Sequence, residues 1–564
     1  MNGYARPGIS QPSWLLPFVV TVVLFLCVLP LGRLAQVGIA ALSRDGAYSL
    51  LTDPSLWQAA WYTISTAVLG TIASVILGSI FAFLLTLADM RGKGMLSFLF
   101  VLPMMIPPQV TALAWVQMSG PSSPLLKALH LAPPLGSPQP LYSAGGIALL
   151  YGVQHAPLVY LALRAGLMAL PREGVEAARL SGASGSMVFR DIILPLSMPG
   201  IIAGAAIAFV SSTGNFGIPA ILGIPAGIYT LPTLIFTKFA AFSSRTFGDV
   251  ALISAIIAMI AVAGLAIQER ALKGRDYRVI GLTGASAVLT LGRLRLPAEI
   301  FLWAILFVML VAPFLALLAG ALVPAFGVPL TLRTMSFHAF EEILFRQPIT
   351  RTAFSNSLFL SVTTAVCLIF VTVLAAYLIT LRKNVVARLI AGLIEIPYSL
   401  PGIVIAVSFI LVFAAPIPLL NLTLYGTIWL ILLAYLSSFF AVSLKPVVSA
   451  FQQLDPALEE AARLSGAGFL RRLCDILVPL IAPAAGASVI LVFLIACNEL
   501  TISALLWSAG TQTLGVVIYN LDDSGSSDLA SAMSVLVVVM VVFMMVLLEL
   551  LAKRLPRGVV PWRN

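Results

Sequence analysis

Long apolar runs separated by short polar stretches dominate the chain. A helix needs about 20 mainly apolar residues to cross a bilayer. Twelve runs reach that scale: 14–33, 61–87, 95–118, 144–168, 199–221, 248–268, 298–321, 356–381, 389–414, 424–446, 484–508 and 529–551. The fifth and eleventh also hold polar residues, Asn215 in one and Asn498 with Glu499 in the other. The run from Trp14 to Leu31 is preceded by a single arginine, Arg6, and no small-x-small cleavage site follows it, so it reads as a retained first span. The pattern predicts an all-α integral membrane protein with about 12 transmembrane helices.

The runs fall into two sets of six. Residues 176–183 read Glu-Ala-Ala-Arg-Leu-Ser-Gly-Ala, and residues 460–467 read the same, 284 positions later. After Gly182 come nine residues and then Ile192-Ile193-Leu194-Pro195. After Gly466 come nine residues and then Ile476-Leu477-Val478-Pro479. Pro103 and Pro107 in the third run match Pro397 and Pro401 in the ninth, and Asn215 is paired with Asn498 by residue type. Six is an even number of crossings, so both halves enter the membrane in the same sense. They form a parallel repeat about a pseudo-twofold axis normal to the membrane. The expected organisation is a first half over 1–268, a linker over 269–297 and a second half over 298–564. The repeated loops lie at about 171–198 and 447–483.

Composition excludes the other broad classes. Of 564 residues 60% are hydrophobic and 10% charged, where soluble domains carry about 45–50% and about 25%. That rules out a string of soluble domains, a disordered chain and a nucleic-acid binder. Cys27, Cys367, Cys474 and Cys497 show no CxxC or Cys/His spacing, so no disulfide framework or zinc site is read. The net charge of +10 is distributed unevenly. With both termini on the cytoplasmic side, the inner segments hold 24 of the 32 Lys and Arg and the outer loops hold 8. This orientation satisfies the excess of basic residues on the cytoplasmic face.

The repeated loop is amphipathic. Val175, Ala178 and Leu180 are expected on one side of a short helix, with Glu176 and Arg179 at its edges. Gly182 permits a sharp turn, and a second short helix is expected to end at Pro195. Two such protrusions at matched positions imply a matched partner. The pattern Glu-Ala-Ala, three residues, Gly, nine residues, Ile-x-(Leu or Val)-Pro resembles the "EAA" loop of permease subunits of binding-protein-dependent ABC importers. Two copies in one chain resemble the fused permeases of the ferric-iron class. The strings 214–236 and 498–521 point to that class less firmly. By this resemblance Glu176, Ala177, Ala178 and Gly182, with Glu460, Ala461, Ala462 and Gly466, form coupling loops. The resemblance implies two copies of an ABC ATPase subunit on the cytoplasmic side, which hold ATP and Mg. It also implies a periplasmic or lipid-anchored substrate-binding protein, and a place in the bacterial inner membrane. The residue before each glycine is Ser181 or Ser465, where many relatives carry Asp.

This chain holds no GxxxxGK[ST] phosphate loop, so the ATPase is expected on a separate polypeptide. No cofactor and no metal site is expected in the chain itself. Gly182-Ala183-Ser184-Gly185 matches the GxSG string of intramembrane serine proteases, but Ser184 lies in a charged loop and the second repeat has Gly468 there. Polar groups within spans are costly in lipid and usually face the bundle interior or a pathway. Gln117, Gln154, His155, Asn215, Glu395, Asn498 and Glu499 qualify. Asn215, Asn498 and Glu499 are the candidates for the substrate path, facing across the twofold axis, and Glu395 is within reach of Arg388. The expected cargo is a small polar solute. Ferric iron comes first, with polyamine, thiamine or organophosphonate as alternatives. An ion-gradient-driven carrier is the competing class, distinguished by needing no ATPase partner.

Overall fold

A computed structural model describes residues 12–42, 45–134, 136–168, 170, 172–241, 246–273, 290–382, 385–416 and 423–552. The described residues are almost entirely helical. The first half contains α1 (Leu15–Leu42), α2 (Pro54–Leu87), α3 (Lys93–Met105), α4 (Pro108–Ser119), α5 (Ala144–Met168), α6 (Arg172–Leu180), α7 (Gly185–Thr213), α8 (Leu231–Ala240) and α9 (Thr246–Leu272). The second half repeats this order in α10 (Gly292–Ala321), α11 (Pro348–Arg382), α12 (Val385–Tyr398), α13 (Gly402–Phe413), α14 (Ile428–Gln453), α15 (Pro456–Leu464), α16 (Phe469–Cys497), α17 (Leu514–Asp523) and α18 (Ser527–Ala552). Short helical turns join some of them. Wide π turns recur at matched places too: 24–28 in α1 with 307–311 in α10, and 189–193 in α7 with 473–477 in α16.

Among the described residues ten helices are long and apolar enough to cross a membrane, and two further pairs qualify only together. These are α3 with the segment after it, bent by 102°, and α12 with α13, bent by 104°. The sequence predicts a single span at 95–118 and another at 389–414, each kinked at its matched prolines. The bends fall where Pro107 and Pro401 cap the second member of each pair and break the ladder.

The register of neighbouring helices shows that each bent pair is a crossing. A Cβ built on Gly70 of α2 meets Ala148 and Tyr151 of α5, and one on Gly78 meets Ala156 and Val159. Contact positions rise together, so α2 and α5 run parallel, and the chain between them must return across the membrane through the bent pair. The second half agrees: Phe359 meets Trp429 edge-on and Tyr377 meets Phe451 edge-on, so α11 and α14 are parallel as well. Twelve spans in two parallel six-span halves result, related by a pseudo-twofold axis along the membrane normal.

The fifth and eleventh spans begin earlier than expected. They are α7 (Gly185–Thr213) and α16 (Phe469–Cys497), in place of 199–221 and 484–508. Pro195 does not end a helix. The N–H of Leu194 reaches back five residues to the carbonyl of Phe189, and this wide turn carries the helix past the proline's missing donor. In the linker, α9 extends to Leu272 and α10 begins at Gly292, while 274–289 lies outside the described residues.

Small residues set the tightest packing. Gly70, Ser74, Gly78 and Ala82 lie four apart on the buried face of α2 against α5. A Cβ on Gly78 would sit 2.6 Å from the carbonyl oxygen of Ala156. Such stripes let membrane helices approach closely. The first helix of each half crosses over. The end of α1 packs on α13 of the second half, and the end of α10 packs on α4 of the first.

Candidate functional site

The two repeated loops form matched knobs at one end of the bundle. Asp455 caps α15, its carboxylate accepting the N–H of Ala457 at 2.9 Å. Both knob helices close with the same motif. Gly182 donates to the carbonyl of Arg179 and Ala183 to that of Ala178, at 2.9 and 3.0 Å. Gly466 donates to Arg463 and Ala467 to Ala462, at 2.9 and 3.1 Å. This Schellman arrangement needs a left-handed residue, and the glycines supply it with φ of +84° and +80°.

On each knob Glu176 or Glu460, and Ala177 or Ala461, face outward. Ala178 packs against the core, and Ala462 is buried. Val175 is buried beside Ala178, as expected. Leu180 is not on that side. It is 91% exposed, and Leu464 is 90% exposed. Five residues at 100° each place Leu180 about 140° from Val175, so the expectation that all three share a face fails on geometry. Each knob therefore ends in a bare leucine beside its glycine.

The second cluster lies where α7 and α16 end. The capping of the following turns identifies true counterparts. Asn215 Oδ1 accepts the N–H of Ile218 at 3.1 Å. Glu499 Oε1 accepts the N–H of Ile502 at 2.8 Å, and Oε2 that of Ser503 at 3.2 Å. The offset of 284 thus sets Asn215 against Glu499, and Gly214 against Asn498. Matching Asn215 with Asn498 by residue type was off by one position.

Each helix end meets the break in the opposite half. Gly214 lies so close to Pro401 that a Cβ there would be 2.7 Å from the proline Cβ. Asn498 Nδ2 donates to the carbonyl of Met105 at 2.6 Å and to that of Leu494 at 3.0 Å. Gln154 Nε2 donates to the neighbouring carbonyl of Ile106 at 3.0 Å. Backbone that leaves a helix at membrane depth must find partners within the protein, and these two amides provide them at the first break. Asn215 and Asn498 each bond to backbone and not to each other.

A model of the family described as "Binding-protein-dependent transport system inner membrane component" matches residues 74–270 and again 368–560. The chain belongs to this family. Each matched segment runs from within the second span of its half through the sixth, and the architecture is the type I ABC permease fold. The chain is similar over nearly its whole length to the "Probable ABC transporter permease protein y4fN" of Sinorhizobium fredii, at 25% identity over 562 residues, 98% of this chain and 97% of that one. The Fe(3+)-transport system permease protein FbpB 2 of Haemophilus influenzae is 24% identical over 550 residues, 95% of this chain and 98% of the relative. The molybdenum transport system permease protein ModB of Escherichia coli is 32% identical over 190 residues, 33% of this chain and 81% of that protein.

The remaining polar residues of this inner membrane component serve packing or line its breaks. His155 bridges Ser211 and Ser212 of α7 at 3.0 Å each. Gln117 donates to Ser531 at 3.3 Å, joining the halves. Glu395 pairs with Lys445 at 3.7 Å, not with Arg388, and Lys445 lies over the ring of Tyr398. Among the described residues no group of three or more His, Cys, Asp and Glu is placed to hold a metal ion. The exposure of the knob leucines and a buried pair behind the second knob, Glu459 and Arg472, escaped sequence reading. The repeat held the signal for the pair, because the offset of 284 sets Glu459 on the core-facing position of Val175.

Proposed function

We propose that this inner membrane component is the fused transmembrane permease subunit of an ATP-driven importer, that its two knobs are the coupling loops for separate ATPase subunits, and that its cargo is ferric iron. The observation that carries the coupling reading is the division of each knob into two faces. The eight residues repeated without change include the outward Glu, Ala, Leu and Gly. Behind them Ala178 and Ala462 match, but buried Val175 and Val188 give way to Glu459 and Arg472. Equal outer surfaces fit two copies of one subunit. An almost fully exposed leucine on each is a ready apolar anchor for a groove.

In this reading ATP and Mg bind in the partner subunits. The basic bias of the loops sets the knobs and both termini on the cytoplasmic side, and the binding protein delivers substrate to the opposite face. Closure of the ATPase pair moves α6 and α15, and α7 and α16 transmit the motion to the two breaks at Pro107 and Pro401. Asn215, Asn498 and Glu499 stand at those breaks and border the path. A two-state element biased by nucleotide is what such coupling requires.

The iron assignment is supported by near-full-length similarity to an Fe(3+)-transport system permease protein, and by the preference of hard cations for oxygen donors such as the Glu499 carboxylate. The test is uptake in cells carrying the full transporter. Radiolabelled ferric iron should accumulate in an ATP-dependent manner and disappear on deletion of the permease. Accumulation of molybdate or spermidine in place of iron would overturn the cargo and leave the importer reading standing. Uptake that persists without any ATPase subunit would overturn the importer reading itself.

A further inference from the structure

The two knobs share an outer surface but are mounted differently. In the first half the mount is apolar: Val175 on α6 and Val188 at the start of α7 are both buried, and Phe83 of α2 packs edge-on against Phe189. The same offset sets Glu459 on Val175 and Arg472 on Val188, and the offset of 294 that matches Pro107 with Pro401 sets Tyr377 of α11 in the place of Phe83. These replacements are also buried, Glu459 at 8% and Arg472 at 3% exposure. The hydroxyl of Tyr377 donates to Glu459 Oε1 at 2.6 Å, and Arg472 Nη2 lies 4.0 Å from the same oxygen. The rings of Phe451 and Phe469 hold the phenol edge-on at 6.4 and 5.3 Å.

A buried carboxylate and a buried guanidinium tolerate their desolvation only in each other's presence. Removing one strands the other, whereas replacing both with apolar groups of suitable volume is often harmless. We propose that Glu459, Arg472 and Tyr377 form a polar lock that positions the second coupling helix on the end of its own half, and that Glu459 and Arg472 act as one unit in transmitting ATPase motion. They touch neither cargo nor nucleotide; they are positioning residues. The proposal rests on the coupling reading of the knobs. It adds that the outer glutamate, Glu460, belongs to the partner's surface, while its neighbour Glu459 belongs to the mount.

The first half supplies the design of the test, since it shows a working valine pair at these two positions. Glu459→Val, Arg472→Val and the double variant are made in the complete transporter with its ATPase and binding protein. Membrane level, ATPase co-purification, ATP turnover and substrate uptake are measured for each. Each single variant should lower uptake per ATP hydrolysed by about tenfold or more, because one buried charge is left unpaired. The double variant should return to within about threefold of the parent, because the apolar mount of the first half is restored in the second. Wild-type uptake in both single variants overturns the lock. A double variant that reaches the membrane and binds the ATPase but stays as impaired as the singles also overturns it, as does one that fails to accumulate at all. If the parent protein retains no ATPase, the coupling reading itself fails, an outcome separate from any of these.

Discussion

Gly182 and Gly466 close their knobs at φ of +84° and +80°, where a residue with a Cβ is strained. Proline at 466 would in addition remove the N–H that Gly466 donates to Arg463. Gly466→Pro should abolish uptake while membrane insertion, read by fluorescence of a fused reporter, stays near the parent level. Leu180→Asp together with Leu464→Asp should release the ATPase subunits. Co-purification is the readout, and loss of about tenfold in affinity or more is expected if both apolar anchors are removed. Asn498→Ala leaves the Met105 carbonyl without its 2.6 Å donor. It should cost about 1–3 kcal/mol of stability, seen as a lower melting temperature in detergent. At this scale the sequence was legible where residues repeat without change, as in the knob octapeptide. It was not legible where the halves diverge. Asn215 corresponds to Glu499, a match that residue type hides and that the offset of 284 and the caps at Ile218 and Ile502 disclose.

Among elements, α2 and α5 show how much packing depends on absent side chains. A leucine at Gly78 would drive its Cβ to 2.6 Å from the Ala156 backbone oxygen. Backbone cannot yield as a flexible side chain does, so Gly78→Leu should separate the pair and remove the monodisperse peak in size-exclusion chromatography. Gly94→Leu, where a Cβ meets nothing within 4 Å, should leave that peak intact. Ten spans were readable from apolar length, and the matched prolines marked the two places where a helix deviates. The bends of 102° and 104° were not readable, because a hydropathy window sums apolar character along the chain and carries no direction. The ends of α7 and α16 were misplaced for a related reason. Proline signals a stop in an isolated helix, but a preceding wide turn supplies the slack that lets the helix continue.

At the level of the whole molecule the halves are joined by more than the linker. Leu291 donates to Asp89 and Arg91 to Glu299, both at 2.8 Å, so the start of the second half is fastened to the loop after α2. The ends of α1 and α10 each cover the bent pair of the opposite half. A chain divided within 274–289 should therefore reassemble when both parts are co-expressed, as judged by co-purification and restored uptake. Either part alone should be degraded. This exchange of first helices also bears on biosynthesis. The seat of α1 on α13 does not exist until some 360 further residues have been made. At about 5–20 residues per second that is a wait of roughly 20–70 s. Until then the end of α1 has only the neighbours of its own half, such as α9, and one of its faces stays uncovered, so slow translation of the second half should expose the nascent protein to membrane proteases at its oldest segment.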